Sequence, residues 1–172
     1  MVEAVTVVLV EGASDRAAVE ATAEALGRDP AAAGVIIQAM GGATSIGHFV
    51  NEYGPRGCDL DLVGLCDAPE RSYFARHLYD HDIYVCDADL EDELLRAMGI
   101  EQMVDFIESQ GELKRFRTMQ KQPHQRDRSI EHHLHNYCGI RAGRKPRYAR
   151  GIIEWLPTAE IPEPLQRLVA NL

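Results

Sequence analysis

The chain contains short, continuous apolar runs that each lead directly into an acidic residue. The three runs and their acids are Val5–Val10 with Glu11, Leu60–Cys66 with Asp67, and Ile83–Cys86 with Asp87. Runs of this length that are apolar at nearly every position predict strands covered on both faces, since a strand with one solvated face alternates apolar and polar residues. The chain is therefore constrained to a sheet buried between two layers.

Helical patterns separate these runs and indicate how the sheet is built. Ser14–Leu26, Ile46–Tyr53 and Arg71–Tyr79 read as helices, and Gly34–Ala39 reads as one more strand. Strands that alternate with helices predict an α/β fold with about four mainly parallel strands and helices on both faces. From Leu90 the pattern is helical to the C-terminus, which predicts a helical C-terminal third. We expect a single domain, 1–172, with a core at 1–100 and a helical extension at 101–172.

Two classes of protein are disfavoured by composition. The sequence has no apolar run near 18 residues and no signal-peptide pattern, so we expect a cytoplasmic protein without a membrane partner. Its four cysteines form no C-x-x-C pair, and Cys66 and Cys86 lie in strand-like runs where a buried free thiol is the ordinary interpretation. This arrangement argues against a zinc site.

The acids at the strand ends predict a cation site. In a parallel sheet these ends share one edge, and ligands collect beyond it. Carboxylates crowded there repel one another unless a cation lies among them, and hard oxygen ligands suit Mg²⁺ or Mn²⁺. Asp15, one turn after Glu11, and Asp89, before the helix that starts at Leu90, also have structural interpretations at helix N-termini.

Charge is distributed unevenly along the chain. The net charge is −9, yet the segment from Lys114 to Arg150 contains eleven Lys or Arg residues and only two acids. A basic segment joined to an acidic body predicts binding to a phosphate backbone, with DNA as the partner of segment 114–150. A solvated helical face is the alternative that charge alone leaves open.

Three motifs in order resemble one protein family. "VLVEGASDR" is similar to the first motif of Toprim domains, a metal-binding fold shared by topoisomerases, bacterial primases and several nucleases. "DADLEDELLRAMG" and "RAGRKPRYARGIIEWL" resemble the Toprim nuclease domain of the OLD (overcoming lysogenization defect) family. The resemblance runs from Val7 to about Leu168.

The resemblance implies specific roles for individual residues. It implies Glu11 and Lys145 as catalytic residues, with Lys145 acting on the transition state or leaving group. It implies Mg²⁺ or Mn²⁺, and we expect two ions, because a pair of metals can stabilise both the attacking and the leaving oxygen of an in-line phosphodiester hydrolysis. The implied metal ligands are Glu11, Asp15, Asp67, Asp89 and Glu91.

Two departures from the family pattern bear on function. Toprim domains usually have D-x-D after the third strand, but Pro69 stands at the second acid, and Glu70 one residue later is a possible substitute. OLD proteins usually carry an ATPase domain that this sequence lacks, so we expect a separate ATPase protein as partner.

The leading functional prediction is a Mg²⁺- or Mn²⁺-dependent nuclease that hydrolyses DNA. Pro69 favours one alternative, a catalytically degenerate Toprim module that binds nucleic acid or a partner protein. A metal-dependent nucleotidyl or phosphoryl transferase is the other alternative, because the same metal site supports that chemistry.

Two further motifs are weaker. "MGGATSIG" offers backbone amides to a phosphate but lacks the Lys-Ser/Thr ending of a P-loop, so a glycine turn is favoured. His132, His133 and His135 do not line one helical face well, which favours a solvated helix over a transition-metal site.

Overall fold

A computed structural model describes residues 4–139 and 144–172. Arg141 of the basic segment and the first residues of the motif "RAGRKPR" lie outside the described residues. The strands are β1 (Thr6–Val10), β2 (Val35–Ala39), β3 (Asp61–Asp67) and β4 (Ile83–Cys86). The helices are α1 (Ala13–Ala25), α2 (Ile46–Tyr53), α3 (Arg71–Phe74), α4 (Leu90–Ser109), α5 (Leu113–Gln120), α6 (Ile130–Gly139), α7 (Arg144–Trp155) and α8 (Glu163–Ala170).

The four strands form one parallel sheet in the order β2-β1-β3-β4. In the register of the central strand, Val8 pairs with Ile37 on one side and with Val63 on the other. The predicted α/β fold is confirmed, and all four strands end at the same edge of the sheet. The chain leaves β1 and β3 at that edge with Glu11 and Asp67 side by side.

Both faces of the sheet are covered, which explains why β1 is apolar at every central position. Val8 and Val10 belong to the larger core, which also contains buried residues of α1, α4, α6, α7 and α8. Val7 and Leu9 face the smaller core beneath α2 and α3. All four side chains are fully buried, and each such burial contributes roughly 1.5–3 kcal/mol to folding.

The C-terminal third is helical, as predicted. The helix that begins at Leu90 bends at Gly99, whose φ of 70° lies in the left-handed region, and continues to Ser109. Beyond Met103 the described residues contain helices and turns and no strand. Helix α7 packs along α1, so this third shares the larger core with the sheet. Among the described helices, none has both the length and the apolar character needed to cross a membrane.

Candidate metal and catalytic site

An open cleft at the carboxyl edge of the sheet collects most of the side chains that the sequence singles out. Its volume is about 530 Å³, and glycines 12, 41, 42 and 139 form part of its wall. The predicted residues that line it are Glu11, Asp15, Asp67, Glu91 and Lys145. Asp89 is not among the residues of this lining. The topology thus brings residues from α1, α4 and α7 to the ends of β1 and β3.

Glu11 is held in place through both its side chain and its backbone. Its Oε1 accepts a hydrogen bond of 3.0 Å from the amide of Asp67 on the neighbouring strand. Its carbonyl oxygen accepts from the amides of Gly41 and Gly42, at 2.9 and 3.0 Å. The expected glycine turn in "MGGATSIG" is confirmed, because these two amides are used within the protein. Burial, and then the charge of Glu70, raise the pKa of Glu11 despite the bond from Asp67.

Asp67 carries the most strongly shifted carboxyl group of the cleft. Burial, followed by the charges of Glu11, Asp15, Asp89 and Glu91, raises its pKa to about 8. Its Oδ1 accepts a 3.0 Å hydrogen bond from the amide of Leu90, the first residue of α4. A carboxylate that four other acids repel is stabilised in its charged form by a nearby cation.

Glu70 joins the acidic site, although Pro69 interrupts the usual motif. One oxygen from each of Glu11, Asp67 and Glu70 lies within 4.8 Å of the other two. Residues 68–70 form a 3₁₀ turn with Asp67 at its N-cap. Side chains at i and i+3 eclipse one another in such a turn, so Glu70 returns to the side of Asp67. Pro69 lies at the start of this turn and favours it, so the residue that replaces the usual acid also helps to bring Glu70 to the site.

Asp15 serves the helix and also lines the cleft. Its Oδ2 accepts a 2.7 Å hydrogen bond from the amide of Gly12, closing the first turn of α1. Burial, with smaller contributions from the charges of Glu11 and Glu91, raises its pKa to about 6 despite that bond. The structural interpretation at a helix N-terminus is therefore correct, and it is compatible with a place in the acidic site.

Asp89 has protein partners on both carboxylate oxygens. It is the N-cap of α4, and its Oδ1 accepts from the amide of Asp92 at 2.8 Å. His135 Nε2 lies 3.0 Å from Oδ1 and 2.8 Å from Oδ2. Asp89 is near enough to raise the pKa of Asp67, yet its oxygens are directed to α4 and α6.

Lys145 forms the cationic wall of the cleft. It is the second residue of α7, and its Nζ lies 3.0 Å from Oε1 of Glu91. Burial lowers the pKa of Lys145, but the hydrogen bond to Glu91 and the charges of Glu91, Asp15 and Asp89 outweigh it and raise the pKa. The ammonium is therefore charged at neutral pH. The prediction that Lys145 lies at a helix N-terminus is confirmed.

Comparison with known proteins gives a family match over the first part of the chain and a shared fold over nearly all of it. Residues 4–67, which include Glu11, Asp15 and Asp67, match the family described as "Overcoming lysogenization defect protein-like, TOPRIM domain". A comparison with proteins of curated function found no significant match.

Solved structures of OLD proteins have the same fold as this chain. The C-terminal region of the Burkholderia pseudomallei OLD protein has a TM-score of 0.69 at 18% identity, over 99% of this chain and 97% of that one. The C-terminal region of the Xanthomonas campestris pv. campestris OLD protein, phased with mercury, has a TM-score of 0.68 at 20% identity, over 99% and 95%. At these identities the likeness establishes the fold.

The basic segment 114–150 divides into two parts. Within the described residues, four of its members form ion pairs inside the protein: Arg144 and Arg147 with Glu112, Lys145 with Glu91, and Arg150 with Glu24. Six others are exposed on residues 114–128, which we call the exposed basic stretch: Lys114, Arg115, Arg117, Lys121, Arg126 and Arg128. Within the described part of the basic segment, this stretch keeps its charge available for a large polyanion.

The interpretation of "IEHHLHN" as a solvated helix is wrong for two of its three histidines. His133 is buried, and its Nε2 lies 2.8 Å from the carbonyl of Gln125. His135 binds Asp89, while His132 is exposed. Sequence periodicity places these residues on α6 but does not identify partners that are distant along the chain.

Proposed function

We propose that this Toprim chain is a divalent-metal-dependent nuclease that hydrolyses phosphodiester bonds of DNA. The observation that carries the proposal is the convergence of Glu11, Asp67 and Glu70 within 4.8 Å, beside a cleft that Lys145 also lines. The family match supports it, because Toprim domains are a metal-binding fold that several nucleases share. This chemistry needs both acidic side chains to bind the metal and a basic side chain, here Lys145, to face the phosphate.

The donor set fits Mg²⁺ or Mn²⁺. It consists of hard carboxylate oxygens, which these ions prefer. The pKa of Asp67 is raised first by burial and then by the charges of neighbouring acids, and a cation would offset that repulsion. Glu11, Asp67 and Glu70 would hold one ion, and Asp15, Asp89 and Glu91 are the proposed further ligands for a second. When bound, the metal supplies stabilisation of the charge that develops on phosphodiester oxygens.

The chain's own residues have distinct parts in this proposal. The amide of Asp67 fixes the Glu11 carboxylate, so that this ligand is oriented before a substrate arrives. Lys145 presents its ammonium to the cleft, where it neutralises negative charge on the phosphate or on the leaving oxygen. Glu91 forms an ion pair with that ammonium beside the acidic site.

The exposed basic stretch is the proposed contact for the DNA backbone. It ends just before α6, and the last residue of that helix, Gly139, lines the cleft. Ten helical residues span about 14 Å, so a duplex held by the stretch can reach the cleft within a few base pairs. A separate ATPase protein is the second proposed partner, on the basis of the family resemblance.

The test is cleavage of supercoiled plasmid by the purified protein with Mn²⁺, with and without EDTA. We expect nicking that EDTA abolishes and that Glu11→Gln and Asp67→Asn each lower by at least 100-fold, about 2.7 kcal/mol in the barrier. Asp61→Asn is the matched control, because Asp61 is exposed at the opposite end of the same strand. Equal activity in all three variants would contradict a metal site at this edge.

A degenerate binding module is the second candidate, and Pro69 is the feature that favours it. Glu70 supplies the acid that Pro69 removes from the usual position, which supports the catalytic alternative. Metal binding without any cleavage by the wild-type protein would favour the module. Incorporation of a nucleotide or phosphate into an acceptor under the same conditions would favour the transferase.

A further inference from the structure

A charged network around the buried Arg144 lies next to Lys145 and has no part in the chemistry proposed above. Glu112, which precedes α5, accepts hydrogen bonds from Tyr137 Oη at 3.0 Å, from Tyr148 Oη at 3.1 Å and from Arg147. Arg144 Nη2 lies 2.9 Å from its carboxylate in an ion pair. Burial raises the pKa of Glu112, but these donors outweigh it and lower the pKa, so the carboxylate stays charged.

Arg144 is fixed by more than its ion pair. It is only 6% exposed, its Nη1 donates to the carbonyl of Tyr137 at 3.1 Å, and its guanidinium lies 4.1 Å from the centroid of the Tyr137 ring. A buried, planar guanidinium with these partners has little freedom to rotate. Because Arg144 lies in the first described turn of α7, these contacts anchor that turn to α6 and to Glu112.

Lys145 follows Arg144 directly and depends on that position. Its side chain is 44% exposed, and its single described partner is Glu91. A long lysine side chain with one partly exposed ion pair is weakly restrained by that pair alone. The direction in which the ammonium leaves the backbone is therefore set by the start of α7.

We propose that Glu112 is a positioning residue for Lys145. Through Arg144, the Glu112 carboxylate fixes the first turn of α7 and thereby holds the Lys145 ammonium at the cleft. This inference rests on the function proposed above for Lys145. It adds a residue that is 33 positions away along the chain and that lies outside the three family motifs.

Chemical labelling tests the positioning without any need for activity. The chain has three lysines, and Lys114 and Lys121 are both exposed, so they serve as internal references for acetylation followed by mass spectrometry. In Glu112→Gln, which keeps the side-chain size but removes the charge, we expect Lys145 to be acetylated severalfold faster relative to the references. Circular dichroism must show native helix content in the variant.

The control is a loss of a different ion pair on the same helix. Glu24→Gln removes the two-pronged contact with Arg150, at 2.8 and 3.0 Å, further along α7. It should leave the labelling of Lys145 unchanged. Should Glu112→Gln fail to fold, Arg144→Gln removes the same ion pair without adding a lysine, and it should raise Lys145 labelling in the same way. Unchanged labelling in a folded variant would overturn the proposal.

Kinetics then separates positioning from general stability. Glu112→Gln should lower kcat for Mn²⁺-dependent cleavage with little change in KM, and it should cause no further loss in a Lys145→Met background. An equal loss in that background would mean that Glu112 acts by another route, and would overturn the proposal. If the wild type does not cleave DNA, the nuclease proposal fails while the labelling result still decides the role of Glu112.

Discussion

His135 Nε2 lies 2.8 Å from Oδ2 of Asp89 and so joins α6 to the start of α4. The two residues are 46 positions apart, and neither is fully buried. The contact matters for the acidic site because Asp89 is a proposed ligand whose oxygens are both engaged by the protein. A metal ion bound by Asp89 would have to share that carboxylate with His135.

The first prediction follows from this contact. We expect His135→Ala to destabilise the protein by about 0.5–1 kcal/mol, since the pair is partly exposed, and to leave Mn²⁺ affinity unchanged or raised. Thermal unfolding and calorimetric titration measure the two effects. His132→Ala, on the exposed side of α6, is the control and should change neither. A large loss of Mn²⁺ affinity in His135→Ala would show instead that the imidazole is itself a ligand.

The second prediction concerns Glu70. Glu70→Gln should weaken Mn²⁺ binding by about tenfold, which corresponds to about 1.4 kcal/mol, because one charged oxygen is removed from the three that converge. Calorimetry measures the affinity, and Glu101→Gln, at an exposed position of α4, is the control. Equal affinities in the two variants would remove Glu70 from the site.

The third prediction is a pH dependence of stability without metal. The pKa of Asp67 is about 8 in the folded protein and about 3.9 in an unfolded chain, so folding retains a proton between these values. The stabilisation is complete below about pH 4 and is lost as the pH rises through about 8. The melting temperature in EDTA should therefore fall from pH 5 to pH 8.5.

Asp67→Asn should flatten that pH profile, whereas Asp61→Asn should reproduce the wild-type curve. Metal binding must displace the same proton. As the pH is lowered, Mn²⁺ affinity should therefore begin to weaken near pH 8, well before the pH of about 5 near which ordinary carboxylates begin to protonate. A wild-type melting temperature that rises steadily with pH in EDTA would contradict the assignment of the shifted group to Asp67.

The fourth prediction separates catalysis from DNA binding. Lys145→Met should lower the cleavage rate by about 100-fold, or about 2.7 kcal/mol, with little change in DNA affinity, since the ammonium acts chiefly in the transition state. Lys121→Met, in the exposed basic stretch, should weaken binding modestly and reduce the salt slope by about one. Plasmid nicking and fluorescence anisotropy at several salt concentrations measure the two effects. Small, equal losses from both changes would argue against a special role for Lys145.

The sequence by itself determined the sheet and the edge at which the site lies. Strands and helices follow local periodicity, and parallel strands must end together, so the apolar run before Glu11 and the one before Asp67 were sufficient to predict a shared acidic edge. The bounds of the strands differ from the predicted ones by a residue or less. The motif residues Glu11, Asp15, Asp67, Glu91 and Lys145 were predicted from the sequence and lie together in the structure.

Only the tertiary structure decided which partners these residues have. The 3₁₀ turn after Asp67 brings Glu70 to the acidic site. The packing of α6 places His135 against Asp89. Glu112 forms ion pairs with Arg144 and Arg147, two of the arginines that sequence composition assigns to DNA binding. Each of these outcomes depends on side-chain direction, and most depend on pairs far apart in the chain. Local periodicity and charge counts carry no information about such pairs, because the packing of α6 and α7 against α4 and against the residue before α5 fixes them.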